Sequence, residues 1–369
     1  MSGLLTRFRI EGLHNLWTID VAIEDNKLVL VGENGTGKTT IANLIYFFLT
    51  CQWHRLLSYS FKSILVTLDS EEITLKYDGL LNIDRKALFL NKLPLSLVRL
   101  FNNLSCEDID LLRESSDKLE EFAKQMNVPG SEINRYISKF PTEDLFSYKL
   151  TQIEQKIDED SIADQILYLP AYRRIEQGLQ SIFSDRPQEI EVIRARIRQG
   201  KKDLRGKELV DFGMEDVETK ICQINKNDVK NVEDKAIIGN FLKVCNSYLS
   251  NKKELVYDHV RSEIFVRQSL EGIQNQPVTL NKLSSGEKQI VSLFAHLYLS
   301  EQKSYFVIID EPELSLSVPW QRRFLTDILE TKRCNGLIAV THSPFVYDNE
   351  LKQYAHSLEE FMEVSHVLS

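Results

Sequence analysis

The chain has 369 residues, of which 43% are hydrophobic and 27% are charged, a balance typical of a soluble globular protein with a substantial core. Its formal net charge of -9 excludes a general electrostatic attraction for nucleic acid, so contact with DNA or RNA would need a local basic patch. The five cysteines form no CxxC pair, which argues against a zinc site and against a disulfide scaffold.

The sequence also argues against a secreted or membrane protein. The N-terminus lacks the continuous apolar core of a signal peptide. The most apolar run, residues 44–49, is far too short to span a bilayer. We therefore expect a cytoplasmic protein with no membrane partner.

Strands around one buried helix are predicted in the first eighty residues. Alternating apolar and polar residues are typical of half-buried strands, and a continuous apolar run suits a central strand covered on both faces. These patterns predict strands over 7–12, 18–23, 28–31 and 64–77. Residues 39–49 are too densely apolar for a surface helix, so we expect a helix packed against a sheet.

Residues 105 to about 270 have a different composition, rich in charged residues and leucine and poor in glycine. Apolar spacing there predicts helices within 107–126 and 229–249. The last hundred residues return to α/β character, with predicted helices and strands over 283–299, 305–309, 320–329 and 336–340.

Length suggests two domains, with one or three still open. The pattern predicts an α/β head interrupted by a mainly helical insertion. Residues 1–100 and 276–369 would form the two parts of the head, and residues 101–275 would form the insertion.

A phosphate-binding loop is predicted at residues 32–39, Gly-Glu-Asn-Gly-Thr-Gly-Lys-Thr, which match GxxxxGK[ST] at every fixed position. A buried strand precedes the motif and a helix follows it, as this loop requires. Glycines let the backbone N–H groups point at phosphate oxygens, and the helix N-terminus adds partial positive charge. Lys38 is expected to reach the β- and γ-phosphates of ATP, and Thr39 to bind Mg²⁺. The residues predicted to contact the nucleotide are Asn34, Gly35, Thr36, Gly37, Lys38, Thr39 and Thr40.

An apolar strand ending in two acids, residues 305–311 (Tyr-Phe-Val-Ile-Ile-Asp-Glu), is the companion element. Its position predicts that both acids lie at the carboxyl edge of the sheet, beside the phosphate loop. Asp310 is the predicted Mg²⁺ partner. Glu311 is predicted to orient and polarise the attacking water.

Residues 283–289, Leu-Ser-Ser-Gly-Glu-Lys-Gln, resemble the signature of ABC-type ATPases, in the LSxGE form seen in SMC, RecF and OLD-type proteins. The resemblance implies that this segment begins a helix and contacts the γ-phosphate of ATP held by the opposite subunit. Ser284 and Gly286 suit that role as donors at a helix N-terminus.

Two further segments resemble the same class. Residues 340–344, Val-Thr-His-Ser-Pro, follow a buried strand where the family has its switch histidine, which implies that His342 bonds the γ-phosphate. Residues 311–317 resemble the EPExxLxP-type segment of OLD and RecF-like proteins, with Ser where OLD members often have His. That difference leaves Glu313 without an assigned role. The implied fold is an ABC-type P-loop ATPase head with a mixed sheet.

Alternatives stay open in the insertion. Residues 167–174 resemble the Pro-Ala-x-Arg stretch of OLD-like and anti-phage ATPases, in which Arg173 or Arg174 would approach a phosphate; a strand followed by a cationic helix start is equally compatible. The glutamine of the family's Q-loop has three candidates, Gln152, Gln155 and Gln165. A basic run over 194–207 could meet nucleic acid or an acidic partner, although a solvated helix and turn explains it better.

The resemblance allows three kinds of ABC protein. The favoured one is an OLD-like ATPase of bacterial anti-phage systems, similar to those of PARIS and Septu, acting as an oligomeric sensor or scaffold for a separate effector such as a nuclease. The segment after His342 is too short for the Toprim domain of OLD nucleases, so a partner would do any cutting. The second is a RecF- or SMC-like DNA repair ATPase, which the acidic balance disfavours. The third is a transporter subunit, for which the insertion is too large.

Overall fold

The structure, a computed structural model, describes residues 5–81, 106–126, 128–138, 162–171, 232–249, 253–258, 263–268, 277–300 and 304–364, together with 153–155, 157, 207–208, 217, 261 and 302. Gln152, Tyr172, Arg173, Arg174 and the basic run up to residue 206 lie outside these ranges. Among the described residues, no helix is both long enough and apolar enough to cross a membrane.

Helices and strands occur in short runs along the described chain. The helices are α1 (Lys38–Leu49), α2 (Trp53–Leu56), α3 (Cys106–Glu114), α4 (Ser116–Met126), α5 (Gly130–Ile137), α6 (Ile162–Gln165), α7 (Val232–Tyr248), α8 (Ser285–Leu299), α9 (Val318–Glu330) and α10 (Pro344–Tyr347). The strands are β1 (Arg7–Leu13), β2 (Trp17–Ala22), β3 (Lys27–Val31), β4 (Ser63–Leu68), β5 (Glu71–Lys76), β6 (Ile166–Leu169), β7 (Lys207–Glu208), β8 (Lys253–Asp258), β9 (Glu263–Gln268), β10 (Pro277–Val278), β11 (Tyr305–Asp310), β12 (Cys334–Thr341), β13 (Ala355–Ser357) and β14 (Met362–Val364). Short 3-10 helices cover Leu280–Lys282, Glu350–Tyr354 and Leu358–Phe361.

The central sheet has six strands in the order β13-β3-β12-β11-β6-β7, and all its neighbours are parallel. An antiparallel sheet has the order β14-β2-β1-β4-β5, and a smaller one has the order β10-β9-β8. The expected α/β fold with a mixture of parallel and antiparallel pairing is therefore confirmed.

Both faces of the central sheet are buried, as parallel sheets require. Along β11, Phe306 and Ile308 belong to one core with α1 and the antiparallel sheet. Val307 and Ile309 belong to the other core, with α7, α8 and α9. This alternation of faces explains the continuous apolar run that predicted a central strand.

The predicted elements of the two head segments are confirmed, with ends that differ by a few residues. The helical spacing over 107–126 corresponds to two helices, α3 and α4. Ser115 lies between them, and its hydroxyl accepts a bond from the Lys118 N–H, which is how a serine caps a new helix.

Part of the segment expected to be helical forms strands. Residues 253–258 and 263–268 are the hairpin β8–β9, in which Leu255 and Ile264 are buried. The alternation of apolar and polar residues is only six residues long in each strand and lies among many charged residues. The composition of the segment therefore did not indicate strands. β6 also lies in this segment and pairs with β11 in the central sheet. The division at residues 100 and 275 stays a prediction.

Candidate nucleotide-binding site

The phosphate loop joins the carboxyl end of β3 to the start of α1. Gly37 is the N-cap of α1 with φ 97°, and Gly35 has φ 83°. This left-handed region strains any residue with a side chain. A Cβ built on Gly35 would have nothing within 4 Å, so this face of the loop is open to a ligand. The motif's glycines are thus needed for the backbone conformation that exposes N–H groups.

Lys38 is only 3% exposed, and its ammonium group lies inside the curve of the loop. Nζ donates to Gly32 O at 3.1 Å, to Glu33 O at 2.5 Å and to Thr36 Oγ1 at 3.1 Å. Burial lowers the pKa of Lys38, while the nearby carboxylates, beginning with Asp310 and Glu311, act in the opposite direction. The lysine is therefore held where the loop can surround a phosphate.

Strand order brings the acids to this loop. β12 lies between β3 and β11, so the carboxyl ends of the three strands are neighbours. Thr39 Oγ1 donates to Asp310 Oδ1 at 3.1 Å, and Asp310 is only 1% exposed. A hydroxyl and a carboxylate this close can reach one Mg²⁺, which takes few protein ligands and fills its shell with water and phosphate oxygens. The residues present therefore fit Mg²⁺ bound to a nucleotide.

Glu311 directly follows β11 in an uncommon backbone conformation. Its φ is 50°, and its N–H donates to Val340 O at 2.8 Å. A non-glycine residue in the left-handed region carries a conformational cost and is often found at functional sites. The side chain is half-buried beside Asp310, as expected for a residue that meets a water.

His342 also contacts the phosphate loop. It is exposed, and its Nδ1 is 2.8 Å from Gly32 O. Because a carbonyl oxygen only accepts, Nδ1 must carry the proton in this arrangement. The structure thus connects the predicted sensor directly to the first residue of the phosphate loop.

Glu313, which the sequence left without a role, supports the segment that carries His342. Its Oε1 accepts from the His342 N–H at 2.8 Å, and its Oε2 accepts from Thr341 Oγ1 at 2.8 Å. In the sequence, Glu313 stands out only as the second acid of Glu-Pro-Glu, and that motif does not indicate which residues Glu313 would bond.

The signature segment begins α8, as predicted. Ser284 is the N-cap, and it forms a capping box with Glu287. Ser284 is exposed, whereas Gly286 is buried. A Cβ built on Gly286 would overlap the backbone carbonyl oxygen of Ser315 and come within 3.4 Å of the Trp320 ring. Gly286 is therefore needed so that α8 can approach the turn that follows Glu311.

The other predicted residues have mixed outcomes. Asn34 is exposed and Thr36 and Thr40 are half-buried on the loop and first turn. Gln165 Oε1 accepts from Asn335 Nδ2 at 3.3 Å, at the start of β12 and thus at the opposite edge of the sheet. Gln165 is therefore a wrong candidate for the Q-loop. For residues 167–174, one alternative is a strand followed by a cationic helix start. The strand is present as β6, and residues 172–174 lie outside the described residues, so the choice between the alternatives stays open.

Comparison with known proteins gives one sequence match. Residues 171–348 match a family model described as "AAA domain, putative AbiEii toxin, Type IV TA system". The matched range contains the signature segment, the end of β11 and His342, and it begins after the phosphate loop. No curated protein matches the chain.

Solved structures of SMC heads resemble the chain weakly. The Smc head domain with an extended coiled coil bound to the C-terminal domain of ScpA, from Pyrococcus furiosus, is 14% identical with a TM-score of 0.39, and the match covers 94% of this chain and 91% of that one. The SmcHead bound to the C-winged helix domain of ScpA is 12% identical with a TM-score of 0.37, at the same coverage of 94% and 91%. The SMC head domain from Thermotoga maritima is 13% identical with a TM-score of 0.35, again covering 94% and 91%.

At these TM-scores the likeness has no bearing on function. The strand order, the loop at 32–39 with the acids beside it, and the AAA-domain match over 171–348 together fit the fold of a P-loop ATPase.

Proposed function

We propose that this chain binds Mg-ATP in the loop at 32–39 and hydrolyses it between two copies of itself. The observation that carries the proposal is the meeting of Lys38, Thr39, Asp310, Glu311 and His342 at the carboxyl edge of one parallel sheet. These residues come from three separate parts of the sequence. Each has the chemistry that nucleoside triphosphate hydrolysis needs at that place.

Each residue has a distinct role in this proposal. Lys38 moves from the loop carbonyls to the β- and γ-phosphates, and the loop N–H groups hold the phosphate oxygens. Thr39 and Asp310 hold Mg²⁺, which when bound supplies positive charge that stabilises the transition state. Glu311 accepts a proton from the attacking water. His342 hydrogen-bonds the γ-phosphate and so reports its presence, and its contact with Gly32 holds it beside the loop.

In this proposal a second copy is needed because the signature of one chain contacts the ATP that is bound in the loop of another chain. The hydrogen bonds of Ser284 stay within the first turn of α8, where its Oγ accepts from the Glu287 N–H. The Ser284 side chain also bonds the Glu287 carboxylate, so in this proposal the hydroxyl turns from that carboxylate to the phosphate. The chain has one loop and one signature; two copies paired by a two-fold axis would build two equivalent sites.

Mixing two inactive variants tests both parts of the proposal. Lys38→Ala damages the loop and Ser284→Arg damages the signature. In a mixed dimer, one site contains both substitutions, whereas the other site has an intact loop from one chain and an intact signature from the other. Activity should therefore return on mixing. If hydrolysis requires two intact sites, activity will not return, and the test is then the size of Glu311→Gln: with Mg-ATP it should sediment as a dimer or a larger assembly. A protein that remains a fully active monomer at all concentrations would overturn the proposal.

For the biological role we propose a sensor or scaffold subunit of a bacterial anti-phage system that controls a separate effector, with a nuclease as the first candidate. The Pro-Ala-Tyr-Arg and Glu-Pro-Glu segments support this, and so does the family description, which refers to a toxin of a type IV TA system. The test is purification of the chain with its natural partners. A co-purifying nuclease whose activity changes with ATP would support the proposal.

The alternative is a RecF- or SMC-like DNA-binding ATPase. Hydrolysis should then rise on addition of DNA, and neutralising the arginines in the basic run at 194–207 should abolish that rise. DNA-independent hydrolysis would favour the sensor over the repair protein.

A further inference from the structure

Lys253, the first residue of β8, reaches out of the hairpin and contacts the signature helix. Its Nζ donates to both carboxylate oxygens of Glu287, at 3.0 and 2.9 Å. The side chains are 26% and 8% exposed respectively. An ion pair this far from solvent depends on its geometry, because removing one partner leaves the other charge poorly solvated.

Glu287 is also the residue that shapes the start of α8. Its Oε2 accepts from the backbone N–H of Ser284 at 2.7 Å, and its own N–H donates to Ser284 Oγ at 3.4 Å. One carboxylate oxygen therefore receives both Lys253 and Ser284. Three residues form a continuous chain of charge-assisted hydrogen bonds from the hairpin to the exposed signature serine.

This chain of contacts favours the ionised state of Glu287. Burial by itself raises the pKa of Glu287, but the hydrogen bonds from Lys253 and from Ser284 outweigh burial and hold the pKa below its ordinary value. A carboxylate can accept at both oxygens, whereas a protonated acid must donate from one. The bond from Lys253 thus favours the ionised form of Glu287, which can accept at both oxygens.

The hairpin itself is held against α7. Leu255 N donates to Asn246 Oδ1 at 2.7 Å, and Asn246 Nδ2 donates to Leu255 O at 3.0 Å. The amide side chain therefore pairs with β8 as a neighbouring strand would. Because α7 also packs against α8 through Tyr248 and Phe294, the position of Lys253 is set by a continuous packed unit.

We propose that Lys253 is a positioning residue for the signature. It holds Glu287, and through Glu287 it holds Ser284, in the orientation that meets ATP bound by a partner chain. The proposal rests on the two-chain site proposed above. It implies that a shift of the hairpin acts on the partner's nucleotide and leaves the chain's own loop untouched.

Lys253→Met tests this because it removes the charge and keeps most of the aliphatic stem. Binding of a fluorescent ATP analogue to the chain's own loop should stay within about twofold of wild type. Hydrolysis should fall by about tenfold or more, the size expected when a hydrogen bond to a charged group is lost. Lys253→Arg should restore most of the activity. In the mixing assay, Lys253→Met should complement Lys38→Ala and fail to complement Ser284→Arg.

A second readout covers the case in which hydrolysis needs two intact sites. In the Glu311→Gln background, Lys253→Met should prevent ATP-driven dimerisation while ATP binding is retained. Arg267→Met is the matched control, because Arg267 lies on β9 of the same hairpin and pairs with Glu254 at 3.5 Å in an exposed position. It should leave hydrolysis and dimerisation unchanged.

Three results would distinguish an error in the role of Lys253 from an error in the proposed two-chain site. Wild-type hydrolysis in Lys253→Met, with Ser284→Arg inactive, overturns the role of Lys253 alone. Equal loss of activity and thermal stability in Lys253→Met and Arg267→Met shows a merely structural hairpin and also overturns it. Full activity in Ser284→Arg overturns the proposed two-chain site itself.

Discussion

Both carboxylate oxygens of Glu313 hold the segment that presents His342: Oε1 accepts from the His342 N–H, and Oε2 accepts from the neighbouring Thr341 hydroxyl, each at 2.8 Å. Thr341 is the last residue of β12, whereas Glu313 lies in the turn after β11. One side chain of the turn that begins with Glu311 is therefore bonded once to the predicted γ-phosphate sensor, His342, and once to the residue before it, Thr341.

Glu313→Ala should slow hydrolysis while ATP affinity changes little, because it removes both acceptors behind His342 and leaves the phosphate loop intact. Loss of hydrogen bonds to a charged group corresponds to about 1.5–3 kcal/mol, so we expect about tenfold to hundredfold lower turnover. Steady-state hydrolysis and equilibrium ATP binding would measure the two effects. Glu313→Gln retains one acceptor oxygen and should be affected less; equal loss in both variants would contradict this explanation.

Lys38→Ala should abolish hydrolysis and weaken ATP binding, because the buried ammonium at the centre of the loop is removed. Binding of a fluorescent ATP analogue is the direct measurement. Lys118→Ala, which removes an exposed lysine from α4, is the matched control and should bind as wild type. Wild-type affinity in Lys38→Ala would rule out the loop as the phosphate site.

Glu311→Gln should bind Mg-ATP and hydrolyse it about 10²- to 10⁴-fold more slowly, the usual contribution of a general base. The amide cannot take the water's proton, whereas Thr39 and Asp310 still hold the metal. Single-turnover hydrolysis with parallel binding would show the separation. Glu330→Gln, at the exposed end of α9, should have no effect, and an unchanged rate in Glu311→Gln would remove it from catalysis.

Gly286→Ala should destabilise the fold and reduce hydrolysis, because the added Cβ overlaps the Ser315 carbonyl oxygen. The start of α8 must then move away from the turn after Glu311. Overpacking of this kind costs about 1–3 kcal/mol, which a lower thermal midpoint would reveal.

Gly239→Ala is the control for that substitution. Gly239 is also helical, but a Cβ built there has nothing within 4 Å, so alanine should be neutral or stabilise α7 by up to about 1 kcal/mol. A stable and fully active Gly286→Ala would show that this close approach is not required.

Local sequence patterns were enough to predict the elements whose cause is local. The phosphate loop is contiguous, and its function depends on glycines and a helix start within a few residues, so residues 32–39 could be recognised without a fold. The continuous apolar runs of β3 and β11 predicted buried parallel strands, and the rule that ligands lie at carboxyl ends placed Asp310 near Thr39.

The contacts between distant side chains, in contrast, depend on how the whole chain folds. The contact of Glu313 with His342, and that of Lys253 with Glu287, join residues 29 and 34 positions apart. The residues next to each of these glutamates in the sequence do not indicate which distant side chain it contacts, because a glutamate that is exposed and one that is buried can have the same neighbours in the sequence. The sequence did not predict the hairpin β8–β9 for a related reason. Its short alternation becomes stable only when Leu255 and Ile264 are buried against neighbouring elements, and strands gain most of their stability from such packing and not from intrinsic propensity.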